Sequence, residues 1–435
     1  MRHVAVMAAT GSLGLVAIFI VDFLNLFYIA QLGQAELAAA IGYAGTLLFF
    51  LISIGIGFTI AAAALVSRAI GAGDRTKARR LAASSLMLSF GLMAVLSAVL
   101  WPLLGPALTL LGATGVTHEI ALGFLRIVLP STPIMILGMI FSAILRSVGD
   151  ARRSMMVTLS GGIVAAIADP ILIFGFDLGV TGAAIATLFS RLALLGVGLH
   201  GAVKVHDLVG RTSLGDALGD ARALAAIAVP AVLTNVATPV GNAYITSALA
   251  PFGDDAVAGW AVIGRLIPVA FGALFALSGA IGPILGQNLG ARRYDRVQRA
   301  MTDSFVLIAG YSLVAWALLF GLRGWIIQVF GIGGDAAMLV DSFCALIAGS
   351  FLFNGFLFVA NAAFNNLGFP ALSTLFNWGK ATLGTIPFVW LGARYGGAYG
   401  VLVGQGVGAI VFGTAAMISC YRVTGKLAER DAARS

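Results

Sequence analysis

Two carboxyl-bearing residues stand where water should be scarce. Asp22 lies in the apolar run 5–31, and Asp169 lies in the run 154–175. An ionisable side chain inside a bilayer costs roughly 2.5–3.5 kcal/mol on insertion scales, so each of these needs a reason. Asn25 follows Asp22 by three residues and so shares its helical face. A carboxyl shielded from water holds a proton more readily, which is what a proton carrier requires. The plainer alternative is a protonated Asp22 that bonds a neighbouring helix. Asp169 immediately precedes Pro170, whose missing N–H and bulky ring loosen a helix. It serves either as a second carrier or as a partner for the freed backbone. Paired, the two acids would hold one proton tightly between them. Ser142 and Thr187 are candidate hydroxyl partners.

The second half of the chain offers neutral polarity instead. Asn235, Asn242 and Tyr244 mark its first apolar run, and Asn354, Asn361 and Asn365 fall close to one helical face further on. Such a stripe suits a wet cavity wall, and interhelical packing explains it equally well. Asp341 reads as interfacial. Four basic residues, Arg126, Arg191, Arg265 and Lys380, also fall inside apolar runs. Arg126 and Arg265 sit near enough to a helix end to snorkel outward. Lys380, with Asn377 beside it, either snorkels inward or faces a cavity. If Lys380 and Arg265 face the cavity, the cargo is anionic or neutral. Tyr28 and Tyr43, with neighbouring phenylalanines, are candidates to line a hydrophobic cavity or to meet lipid.

These residues must be carried by membrane helices. Of 435 residues, 60% are apolar and 10% charged, and the mean hydropathy is +1.01, more than a soluble core needs. A span takes about 20 apolar residues, which leaves room for about a dozen and none for a sizeable soluble domain. The runs 5–31, 37–67, 81–104, 118–144, 154–175, 180–203, 222–250, 256–286, 300–320, 337–365, 371–393 and 398–421 predict twelve. Twenty of the 26 Lys and Arg residues fall in alternate loops or at the termini. By the positive-inside rule, both termini and the even-numbered loops are cytoplasmic, as expected of an inner-membrane protein. The expected organisation is a first lobe at 1–203, a polar connector at 204–221, a second lobe at 222–421 and a tail at 422–435.

The two halves also repeat one another. At an offset of 219 residues, Glu36 meets Asp255, Gly71-Ala72 meets Gly290-Ala291, Arg80 meets Arg299 and Gly149 meets Gly368. Six spans is an even number, so both halves enter the membrane in the same sense. Such parallel repeats occur in transporters whose site lies between two bundles. The fold class expected is therefore an all-α membrane protein, twelve transmembrane helices in two pseudo-twofold-related six-helix lobes.

Five stretches spread over the chain carry a family likeness: "VDFLNLFYIAQLGQAELAAAIGYAG", "ALVSRAIGAGDRTKARR", "DPILIFGFDLGVTGAAIAT", "GQNLGARRYDRVQRA" and "LGARYGGAYGVLVGQ". In this order they resemble the multidrug and toxic compound extrusion (MATE) transporters, and most nearly their DinF-like bacterial branch. The resemblance implies a V-shaped central cavity and export of organic cations or other amphipathic compounds, driven by a proton or sodium gradient. In that branch coupling is assigned to acids of the N-terminal lobe. The chain departs from the pattern in placing Asn25 where many members carry an Asp, with the acid one turn earlier at Asp22. It has no proline before Pro102, and Ala165 stands one turn before Asp169, where relatives can present an asparagine.

The leading expectation is a monomeric antiporter that exchanges protons, or alternatively sodium ions, for a small organic substrate amid membrane lipids. The runner-up exports or flips an anionic or lipid-linked metabolite. The four histidines are scattered, and Cys344 and Cys420 fall in separate apolar runs, so neither a metal site nor a disulfide framework is expected. No cofactor and no nucleic-acid partner are expected. A membrane-embedded enzyme lacks any nucleophile–base pair or metal motif at suitable spacing. A channel would not need two six-span halves.

Overall fold

Long apolar runs broken by glycine, proline and charge become helices here because lipid offers the backbone no hydrogen-bond partner. The computed structural model describes residues 35–432, which contain no strand. The helices are α1 (Ala35–Gly71), α2 (Arg75–Leu110), α3 (Gly115–Val128), α4 (Thr132–Ser147), α5 (Ala151–Pro170), α6 (Gly179–Leu199) and α7 (Leu214–Leu249). They continue as α8 (Asp254–Gly290), α9 (Tyr294–Phe330), α10 (Gly334–Ala345), α11 (Phe351–Leu367), α12 (Pro370–Ala381) and α13 (Ile386–Ala432).

Among the described residues, ten stretches are long and apolar enough to cross a membrane, the last running from Pro370 to Glu429. Its 60 residues would make a helix of about 90 Å, three times the hydrocarbon thickness. The stretch is two spans, because the backbone turns at Gly397, where φ is 59° and ψ is −146°. Eleven of the twelve expected spans therefore lie among the described residues, and the first lies outside them. Several helices outrun their apolar windows: α9 begins at Tyr294 and ends at Phe330, against an expected 300–320. Hydropathy marks the part in hydrocarbon, whereas helical hydrogen bonding continues into the interface.

The chain divides into two compact units at the Val232/Leu233 junction, within α7. In the first, α1 packs on α2, α3 and α4, and α5 packs on α6. In the second, α8 packs on α9, α10 and α11 in the corresponding pattern. The fourth and tenth spans both break, through 3₁₀ turns at Leu129–Ser131 and Ile347–Ser350. In each, an indole reaches a carbonyl just before the break. Trp101 Nε1 donates to Arg126 O at 3.5 Å, and Trp316 Nε1 donates to Ala345 O at 3.1 Å. Those carbonyls are 219 residues apart, so the sequence offset survives as geometry.

Small residues set how closely the helices approach. A Cβ built on Gly392 would lie 1.9 Å from Gly400 O, one on Gly404 2.3 Å from Phe388 O, and one on Gly408 1.6 Å from Gly384 O. The two arms that flank Gly397 therefore pack backbone against backbone along this glycine seam. The polar connector is tied to the first unit: Arg79 pairs with Asp207 at 2.9 Å, Arg80 with Asp220 at 3.1 Å, and His206 Nε2 lies 2.7 Å from Asp150 Oδ2. Burial pushes the Asp150 carboxyl up, but the Arg153 amide, the His206 ring and the Arg153 guanidinium outweigh it. The carboxyl sits below the usual carboxylate range.

Candidate functional site

Asp169 is the one proposed coupling residue that the described structure contains; Asp22, Asn25 and Tyr28 lie outside the described residues. It sits in the last turn of α5 and is 1% exposed. Pro170 cannot donate the helical bond to the carbonyl one turn back, and the chain passes into a π-helical turn at Ile171–Gly175. Such turns are rare and concentrate at functional positions. Gly182 of α6 makes room for it, since a Cβ there would stand 2.6 Å from Leu172 O. The carboxyl is thus held inside the apolar stretch Ala151–Gly175, beside a locally rewound backbone.

The hydroxyls expected near Asp169 make other bonds. Thr187 Oγ1 donates to Ala183 O on its own helix at 2.9 Å. Ser142 Oγ lies 2.8 Å from Ser154 Oγ and accepts from Arg146 Nη1 at 3.0 Å; that guanidinium also reaches Ser154 Oγ at 2.9 Å. This cluster clasps α4 to α5 just beside the turn at Gly149. Tyr43 donates to Gly112 O at 3.4 Å. Arg191 is buried and holds the break of the fourth span, donating to Val128 O at 2.8 Å and Ser131 Oγ at 2.6 Å.

In the second unit the asparagines of α11 face α12. Asn377 Nδ2 donates to Asn361 Oδ1 at 2.8 Å, and Ser373 Oγ lies 3.2 Å from Asn361 O and 3.3 Å from Asn365 Oδ1. Lys380 Nζ donates to Asn354 Oδ1. Asn354 and Asn361 are buried, at 7% and 9% exposed, whereas Arg265 is exposed. Sequence reading singled out these asparagines and Ser142 but missed their partners, Ser373 in the second unit and Ser154 in the first. The signal was present: the 219-residue offset carries Ser142, Arg146 and Ser154 onto Asn361, Asn365 and Ser373. Among the described residues, no cluster of His, Cys, Asp or Glu could hold a metal ion.

Helices this apolar, repeated as two bundles, make this a multi-pass membrane protein, and its likeness to known proteins makes it a transporter. The MatE family profile matches the chain twice, at residues 12–171 and 230–391, and the chain belongs to that family. It is 28% identical over 431 residues to an FAD transporter of Shewanella oneidensis, covering 97% of this chain and 94% of that one. It is 26% identical over 345 residues to the multidrug export protein MepA of Staphylococcus aureus, covering 78% and 76%. The fold matches the crystal structure of a mutant of the Vibrio cholerae MATE transporter VcmN with a TM-score of 0.89, at 25% identity, covering 98% and 97% of the two chains.

Proposed function

We propose that this MATE transporter is a proton-driven antiporter that exports small amphipathic or cationic organic compounds by alternating access of its two six-span lobes, 1–203 and 222–421. The observation that carries the reading is a fully shielded carboxyl, Asp169, at the end of α5 beside the π-helical turn. Protonation removes a charge from a low-dielectric site, so it biases any two-state element packed against that site. Asp22, which lies outside the described residues with Asn25 three positions on, is the second carboxyl of the proposed proton pair. One charge crossing 100 mV supplies about 2.3 kcal/mol, nearly fiftyfold in concentration. One proton per cycle therefore sustains useful export.

The proposed setting is a bacterial inner membrane, with a monomer among lipids and with both termini and the basic loops cytoplasmic. The names of two relatives, a multidrug exporter and an FAD transporter, support organic cargo with a flat apolar part. The experiment is ethidium efflux from vesicles of purified protein under an imposed proton or sodium gradient, for wild type, Asp22→Asn and Asp169→Asn. The expected result is efflux that follows the proton gradient and is lost in both variants. A sodium requirement indifferent to both substitutions would remove the site.

A further inference from the structure

The two halves are repeats, so features they share belong to the scaffold and features found in one alone call for another explanation. The clasp Ser142–Arg146–Ser154 and the clasp Asn361–Asn365–Ser373 occupy corresponding positions beside corresponding turns, at Gly149 and Gly368, whose φ angles are 84° and 94°. They hold hairpins together. Subtracting them leaves two features of the second half without a counterpart. One is the pair Lys380–Asn354, for which the first half has Gly161 and Met135. The other is a break in the eleventh span: α12 stops at Ala381, four turn residues follow, and α13 starts at Ile386. The equivalent stretch of the fifth span lies inside the unbroken α5.

Both features fall together, some ten residues beyond the start of α12 at Pro370. At 1.5 Å per residue that is about 15 Å from the turn, near the middle of the hydrocarbon. Broken helices at such depth mark binding sites in transporters. The break is a built feature: Gly384 N donates to Gly379 O at 2.8 Å instead of to Lys380 O, and Thr385 Oγ1 serves the carbonyl so freed, donating to Lys380 O at 2.8 Å. The ammonium of Lys380 has three donors. One goes to Asn354 Oδ1, and among the described residues the other two meet no acceptor and no carboxylate forms an ion pair with it. Among the described residues, this cation has a single neutral partner and no counter-ion.

The geometry points to Lys380 and Asn354 as an anion-accepting subsite that takes a carboxylate or phosphate of the cargo. This rests on the transport reading and narrows it: the cargo is an amphipath with an acidic group. Lys380 supplies the charge, and Asn354 Oδ1 orients the ammonium.

The test uses flavin mononucleotide and riboflavin, which share a ring system and differ by one phosphate. Tryptophan-fluorescence quenching gives the two dissociation constants for full-length protein in phosphatidylcholine vesicles and in vesicles containing phosphatidylglycerol. Wild type is expected to prefer the mononucleotide by about tenfold, the size of a charged hydrogen bond. Lys380→Arg retains the preference and Lys380→Met abolishes it. The matched variant Asn354→Leu/Lys380→Met, which leaves no polar group unpaired, abolishes it too and controls for folding. A preference that persists in both membranes assigns the anion to dissolved cargo. A wild-type preference that appears in phosphatidylcholine and disappears with phosphatidylglycerol assigns it to a lipid headgroup. Equal binding of the two flavins by wild type, or a preference that survives Lys380→Met, overturns the subsite. Gradient-driven efflux of ethidium and of flavin mononucleotide by wild type tests the transport reading separately, because the absence of both would sink transport whatever the binding ratio.

Discussion

Gly408 is the tightest point of the seam in the last two spans, and replacing it with alanine tests that packing directly. A Cβ at Gly408 would stand 1.6 Å from Gly384 O and 2.5 Å from Gly384 C, where ordinary contact begins at 3.4 Å. The obstacle is backbone, so no rotamer relieves it, and the arms must part by roughly 2 Å to regain normal contact. Overpacking of this kind costs typically 1–3 kcal/mol, and a clash with backbone belongs at the upper end. Alanine also gains about 1 kcal/mol in helix propensity, which leaves a net loss of about 2 kcal/mol. Gly425 supplies the control: it lies in the same helix, and a Cβ there meets nothing within 4 Å. Gly425→Ala should show the propensity gain alone. The two variants should thus differ by about 3 kcal/mol, read as unfolding midpoints in detergent by tryptophan fluorescence. Because Gly384 lies in the break behind Lys380, Gly408→Ala should also weaken mononucleotide binding. If Gly408→Ala proves as stable as Gly425→Ala, the arms do not meet at Gly384 and the seam is wrong.

Two further outcomes are expected. Ser142→Ala and Ser373→Ala should each lower the unfolding midpoint by an amount corresponding to about 0.6 kcal/mol per interhelical bond lost, while the proton dependence of ethidium efflux stays unchanged. An altered proton dependence in Ser142→Ala would show that this hydroxyl serves Asp169 after all. At the connector, a carboxyl held below its ordinary range stabilises the fold fully above the unfolded value of about 3.9 and loses that contribution as pH falls through the folded value. Asp150→Asn should therefore be less stable than wild type at neutral pH, and the gap should close in acid; a gap constant from neutral pH to about pH 3 would refute the pairing of Asp150 with Arg153 and His206.

Much of the scaffold was legible because lipid acts on segments. Span lengths, the odd–even distribution of Arg and Lys, and the offset of 219 residues all follow from composition along the chain. Asp169 was legible for the same reason, being an acid in an apolar run beside a proline. The identity of partners was not. Ser142 and Asp169 both looked available to a shared proton site, yet Ser142 bonds Arg146 and Ser154. Asn361 suited a cavity wall and interhelical packing equally, and only the packed helices show it bonded to Asn377. The tenth span read as one run and is broken before Phe351, a change that costs no hydropathy because Trp316 serves the exposed carbonyl.

Sequence alone determined that this chain lives in a membrane, how many times it crosses, that its halves repeat and which family it resembles. Each of those depends on the average chemistry of a segment against lipid or on residue order, and neither changes when a helix turns about its axis. Which side chain meets which depends on that rotation, about 100° for each residue of register, and packing contacts hundreds of residues away set it. The pairing of Lys380 with Asn354, the twin clasps and the glycine seam were therefore decided only when the helices packed.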